Sequence, residues 1–88
     1  MNQNLQLYPN PISTNQTLNI TINSNFNEKG IIEMYNLEGK RVKTFAQRML
    51  LEGENKMSFP ISDLSKGIYT LRCHTAKEIF SRKLVVVE

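Results

Sequence analysis

Leu18-Asn19-Ile20-Thr21-Ile22-Asn23 is the stretch that decides the fold. Apolar and polar side chains alternate at every step, the period of two that turns one face of a β-strand to a core and the other to water. Helical spacing is hard to find anywhere in the chain. Short β-branched and aromatic runs instead recur at roughly ten-residue intervals, separated by clusters of Gly, Asn, Ser and Pro. Downstream, Ile32 and Met34 continue such a face, and Asn36-Leu37-Glu38-Gly39 supplies a turn into a hairpin partner at Lys40 to Phe45. Met57, Phe59 and Ile61 alternate in a further strand, which Pro60 marks as an edge or a strand end because it cannot donate a ladder hydrogen bond. Tyr69, Leu71 and Cys73 form the inward face of the next, and Thr75-Ala76-Lys77 connects it to a last strand at Glu78 to Val87. With a short first strand near Leu5 to Tyr8 the count is about seven, which suits an all-β protein of two packed antiparallel sheets.

The connections at Ser24 to Lys29, Leu50 to Glu54 and Ser62 to Lys66 have ordinary loop lengths, so no internal domain boundary is expected. The 88 residues admit one domain, in which folding hides only roughly 64% of the surface that the unfolded chain exposes. Leu, Ile, Val and Phe supply 25 of the 88 residues, above the level at which a chain stays disordered, so this one folds with a thin margin. Leu5 to Glu88 is read as that domain and residues 1–4 as a polar linker. A chain that opens Met1-Asn2-Gln3-Asn4 with no charged side chain before Glu28 and no signal peptide is expected to be the C-terminal piece of a longer protein, carrying an added start methionine.

Charge and composition exclude several functions. A net charge of +3 is too small and too dispersed for the basic stripe that nucleic-acid binding requires. The longest apolar run, Leu84 to Val87, is far short of the roughly 20 residues of a membrane helix. One cysteine permits neither an internal disulfide nor a Cys-rich zinc site. Cys73 and His74 are neighbours in a strand and point to opposite faces, so they form no catalytic dyad; Cys73 is read as a small buried hydrophobe and His74 as a solvated surface residue. Glu52 and Glu54 flank Gly53 in a solvated loop, and Asp63 sits in a polar turn. No acid, base and nucleophile converge; no enzyme activity, metal or cofactor is expected.

The C-terminal end is less ordinary. In Lys83-Leu84-Val85-Val86-Val87-Glu88 one face delivers Leu84 and Val86 to the core, which leaves Val85 and Val87 on the other, either covered by neighbouring segments or exposed. Exposed, they make an apolar recognition edge that invites pairing with another protein, with Arg82 and Lys83 discouraging indiscriminate aggregation.

Read in order, Leu7-Tyr8-Pro9-Asn10-Pro11, Ile32-Glu33-Met34-Tyr35-Asn36-Leu37-Glu38-Gly39-Lys40-Arg41-Val42, Ile61-Ser62-Asp63-Leu64-Ser65-Lys66-Gly67-Ile68-Tyr69-Thr70-Leu71 and Lys83-Leu84-Val85-Val86 form a series that resembles the C-terminal sorting domain of type IX secretion cargo proteins, from about Leu5 to Glu88. The resemblance implies an immunoglobulin-like sandwich of seven strands that acts as an address for an upstream cargo in the same chain. It implies partners in the outer-membrane secretion translocon, its shuttle proteins and a sortase-like cysteine peptidase that removes the domain, and a route through the periplasm to the medium or cell surface. Gly67 and Tyr69 match the family's Gly-x-Tyr, Gly39 its hairpin glycine, and Tyr8, Pro9, Asn10 and Pro11 the lead into the first strand. Lys83 to Glu88 resembles the part associated with recognition, by strand addition or by an apolar groove around Leu84 to Val87 with Lys83 setting register. Ala76-Lys77 and Cys73 depart from the family pattern. The rival reading is an accessory carbohydrate-binding or adhesive sandwich, which needs an exposed aromatic platform; there is no Trp, and Tyr8, Tyr35 and Tyr69 fall at motif positions expected to pack.

Overall fold

In the computed structural model, which describes residues 4–88, the alternating stretch lies in β3 (Thr17–Ser24), the middle of a three-stranded antiparallel sheet. β1 (Leu5–Tyr8) pairs along one side of it and β6 (Gly53–Pro60) along the other. The second sheet has five strands in the order β2 (Ile12–Ser13), β8 (Ile79–Val87), β7 (Gly67–His74), β4 (Glu28–Tyr35), β5 (Arg41–Leu50). The described residues form no helix, and the two sheets pack as an immunoglobulin-like sandwich, the fold class read from the sequence. The linker expected at residues 1–4 lies, apart from Asn4, outside the described residues.

Alternation fills the space between the sheets. Leu5, Leu18, Ile20, Ile22 and Met57 enter from the smaller sheet and meet Ile32, Met34, Leu71, Cys73, Phe80, Leu84 and Val86 from the larger. Ile61 and Leu64, on the β6–β7 connection, close one end. Each fully buried aliphatic side chain contributes on the order of 1.5–3 kcal/mol, so this layer drives folding. Tyr69 packs inward, 7% exposed, with its hydroxyl donating to the Ser65 carbonyl at 2.7 Å. The Asn36–Gly39 turn forms as expected: Gly39 takes a φ of 84°, and the Asn36 side-chain oxygen accepts from the amides of Glu38 and Lys40. Pro60 ends β6, an edge strand, where its missing donor costs nothing.

Several expectations need correction. The described residues form eight strands, because Ile12–Ser13 adds a two-residue parallel partner to β8. The strand expected at Lys40 to Phe45 runs on to Leu50, since β5 follows β4 over its whole length and absorbs two register shifts. The loop expected at Leu50 to Glu54 shrinks to a tight turn, in which Asn55 and Asn27 side chains accept from the amides of Leu51 and Glu52. Thr21, expected in water, is buried because β3 is flanked on both sides. Tyr8, expected to pack, is 55% exposed near the free edge of β1.

Gly30 is a packing glycine that pattern alone does not reveal. A Cβ there would stand 2.8 Å from Leu50 Cδ1 and 3.1 Å from its Cγ, so the missing side chain is what lets Leu50 reach the core. Gly30→Ala should therefore destabilise the domain by roughly 1–3 kcal/mol through overpacking, measured by chemical denaturation; unchanged stability would show that Leu50 has room to move.

Candidate functional site

β8 runs antiparallel to β7 from His74↔Ile79 to Gly67↔Val86. That register sends Leu84 and Val86 into the core, 0% and 2% exposed, and places Lys83, Val85 and Val87 on the outer face of the five-stranded sheet. Val85 is half-buried and Val87 is 42% exposed. Beside them Ile68, opposite Val85 on β7, is also exposed. Lys66, Gly67, Ile68, Val85, Val87 and Glu88 line an open, mostly apolar groove of about 420 Å³. A second groove of about 320 Å³ lies across Ile68, bordered by Leu37, Val42 and Tyr69. The ring of Tyr69 lies over Gly67, 3.7 Å from where a Cβ would stand.

Of the two alternatives left open for β8, covered or exposed, its backbone edge takes the covered one. Asn10 occupies it with a side-chain amide that does the work of a neighbouring strand: its Nδ2 donates to the Lys83 carbonyl at 2.8 Å and its Oδ1 accepts from the Val85 amide at 3.1 Å. Ile12 and Ser13 then pair with Val86 and Val87, and the Thr14 amide donates to the Val87 carbonyl at 3.1 Å. These are backbone groups that an added strand would need. Tyr8, Pro9, Asn10 and Pro11, read as the lead into the first strand, thus form a strap leaving it: both X-Pro bonds are cis, and the strap passes from β1 in one sheet to β2 in the other. The sequence signal for Asn10 was an Asn set between two prolines; its partners, 73 and 75 residues away, left no local trace.

A polar network on the same outer face was missed altogether. Glu33 is only 5% exposed, its Oε1 accepting from the Tyr35 hydroxyl at 2.8 Å and meeting His74 Nε2 at 3.0 Å, its Oε2 accepting from Arg41 at 3.1 Å. His74 is therefore half-buried and partnered rather than solvated, and because a carboxylate only accepts, its Nε2 carries the proton. Arg72 donates to the Tyr35 hydroxyl at 3.0 Å and lies 4.7 Å over its ring. Burial works to raise the Glu33 carboxyl, but the hydrogen bonds from Tyr35, Arg41 and His74 outweigh it and hold the group below its ordinary 4.5. Cys73 behaves as the sequence suggested: it is fully buried, and burial, helped by Glu28 and Glu78, pushes its thiol up to about 11, so it is no nucleophile at neutral pH. Exposed aromatics are scattered, Tyr8 on the smaller sheet and Phe26 in the β3–β4 loop under Lys77, and form no common platform.

The described residues thus define a small all-β sandwich domain with an apolar groove and cationic side chains on the outer face of its larger sheet. The family of secretion-system C-terminal sorting domains matches residues 6–87, nearly the whole chain, and the chain belongs to that family, the sorting signals of type IX secretion. None of the curated proteins matches the chain. The family is one of signals rather than enzymes; membership implies interaction with the type IX machinery and a secreted or cell-surface route for the cargo.

Two measurements test this geometry. Asn10→Ala removes both surrogate-strand bonds, so hydrogen exchange at the Val85 amide should accelerate strongly while that of Leu71 amides in the sheet centre is unaffected; equal protection in both proteins would show that β2 alone holds the edge. Glu33 binds protons more readily unfolded than folded, so its contribution to stability is present above pH 4.5 and is lost as pH falls through the lower folded value. Glu33→Gln should flatten the acid limb of the stability curve in that window, leaving the part due to Asp63, which Lys43 holds low in the same way.

Proposed function

We propose that residues 5–88 form a single address domain, joined through residues 1–4 to an upstream cargo, and that the outer-membrane translocon and its shuttle proteins read the terminal segment Lys83 to Glu88. The observation that carries this reading is the apolar groove at the C-terminal end of β8, where Val85, Val87 and Ile68 lie between Lys66 and Lys83. With edge groups of β8 already bonded to Asn10 and Thr14, the groove is the favoured mode and strand addition is not. Lys83 projects beside the groove, where its charge sets the register of a bound segment. Gly39, Gly67 and Tyr69 act as determinants of the fold that presents it. The cargo crosses the periplasm, emerges at the surface or in the medium, and is freed by a sortase-like cysteine peptidase that cuts at or ahead of residues 1–5.

The test is export of a signal-peptide-bearing fluorescent reporter fused upstream of residues 2–88, in a host with the secretion system and in a machinery-deficient mutant. Reporter outside the first host, shortened by about the mass of this domain, and held in the periplasm of the second supports both the address and the cut. Reporter trapped in both sinks the proposal in favour of an accessory adhesive module. Val85→Ala with Val87→Ala should abolish export at a nearly unchanged melting temperature; surviving export would show that the groove is not what is read.

A further inference from the structure

The charges of the chain are unevenly placed. Strand alternation projects Lys29, Arg41, Arg72 and Lys83 from the outer face of the five-stranded sheet, against the one carboxylate Glu33. All other cations and anions are equal in number, so the net charge of +3 resides on this face. Glu33 barely reaches the surface, whereas the Arg41 side chain stays 60% exposed while bonded to it. What a partner meets is therefore a cationic band. Two of its groups are held in fixed positions, Arg41 by Glu33 and Arg72 by Tyr35 and by stacking on its ring. Lys29 and Lys83 have no ion-pair partner among the described residues. Apolar ground bounds the band at both ends. Ile79, 66% exposed, stands opposite His74 beside a groove of about 390 Å³ lined by Lys29 and Ile31, and the terminal groove lies at the other end.

We propose that this face is a second docking surface, one that takes the acidic surface of a folded protein of the secretion machinery, whose carboxylates meet Lys29, Arg41 and Arg72 while the terminal groove is engaged. The inference rests on the reading of that groove as the address. Charge complementarity selects the sign of the partner, and fixed guanidiniums select its nature. Arg presents a planar fork suited to carboxylates, and holding it in place beforehand lowers the ordering cost of meeting a rigid partner. A fluid anionic bilayer rearranges to suit any array of cations and gains nothing from that fixation. The apolar ends fit a protein interface, in which an apolar patch is rimmed by charge.

The test compares two double variants of equal net charge, and one single variant, in the same export assay, each first shown to keep its melting temperature. Lys29→Gln with Arg41→Gln should cut export about tenfold, the low end of electrostatic steering effects. Arg48→Gln with Lys56→Gln, on other surfaces, should leave it unchanged. Lys29→Gln alone, which breaks no bond in the Glu33 network, should give a partial loss. Poly-L-glutamate added to the isolated domain at low salt should shift the amide resonances around Lys29, Arg41 and Arg72 and spare those of β6. Equal loss from both charge pairs, no loss from the first, or the same amides shifting with phosphatidylglycerol vesicles and not with polyglutamate would overturn the proposal. Loss on Val85→Ala with Val87→Ala, together with full export of Lys29→Gln with Arg41→Gln, refutes the second surface and leaves the groove standing. The opposite pattern refutes the groove reading alone.

Discussion

β8 has β7 along one side and, on the other, an asparagine side chain followed by a two-residue strand. The rest of the molecule depends on that double anchorage. A strand at the C-terminus with only one neighbour would fray, and Leu84 and Val86 with it, at a cost of about 1.5–3 kcal/mol each in lost burial. Instead the strap from Tyr8 to Ser13 crosses from the smaller sheet and closes over the end of the chain, and Arg82 donates back to the Leu5 carbonyl at 2.8 Å. The first and last segments of the domain thus hold one another, and the terminal side chains are displayed on a fixed face.

This anchorage decides which features of β8 are left to be recognised. Its inward side chains are in the core and the edge groups at Lys83, Val85 and Val87 are bonded. What remains is the outer row of Lys83, Val85 and Val87, continued on β7 by Thr70 and Ile68. A partner that reads this row reads side chains and their spacing, which distinguishes one sandwich from another far better than a run of backbone groups does.

The sequence made the core legible because alternation is local: Leu18, Ile20 and Ile22 announce their own burial, as do Met34, Leu71 and Leu84. The Asn36–Gly39 turn was legible for the same reason. Features that depend on register were not. Glu33 reads as an ordinary exposed strand carboxylate until the pairing places it beside His74 and Arg72, two strands' worth of sequence away. Burial of Thr21 needed the knowledge that β3 is central, and the close approach of Leu50 to Gly30 needed the length of β5. β2, with two residues, falls below any pattern, yet it covers the β8 edge that the sequence left undecided between covered and exposed. Family resemblance pointed to the terminal block; only the structure could separate its buried half from its displayed half.

Closing the β8 edge also resolves a conflict inherent in ending a chain on an apolar strand. An open, apolar edge strand pairs with any other strand, including that of a second copy, and would aggregate at the concentrations of a crowded export route. The remaining edges of this sandwich carry other deterrents: β6 ends at Pro60 and bears Lys56, β5 bears Arg41, Lys43 and Arg48, and β1 is four residues long. With backbone pairing suppressed at its end, β8 can keep Val85 and Val87 at the surface in a groove of limited area flanked by lysines, which offers a second copy no strand edge to pair with. The strap therefore lets the end of β8 carry apolar side chains at the surface without offering its backbone for pairing.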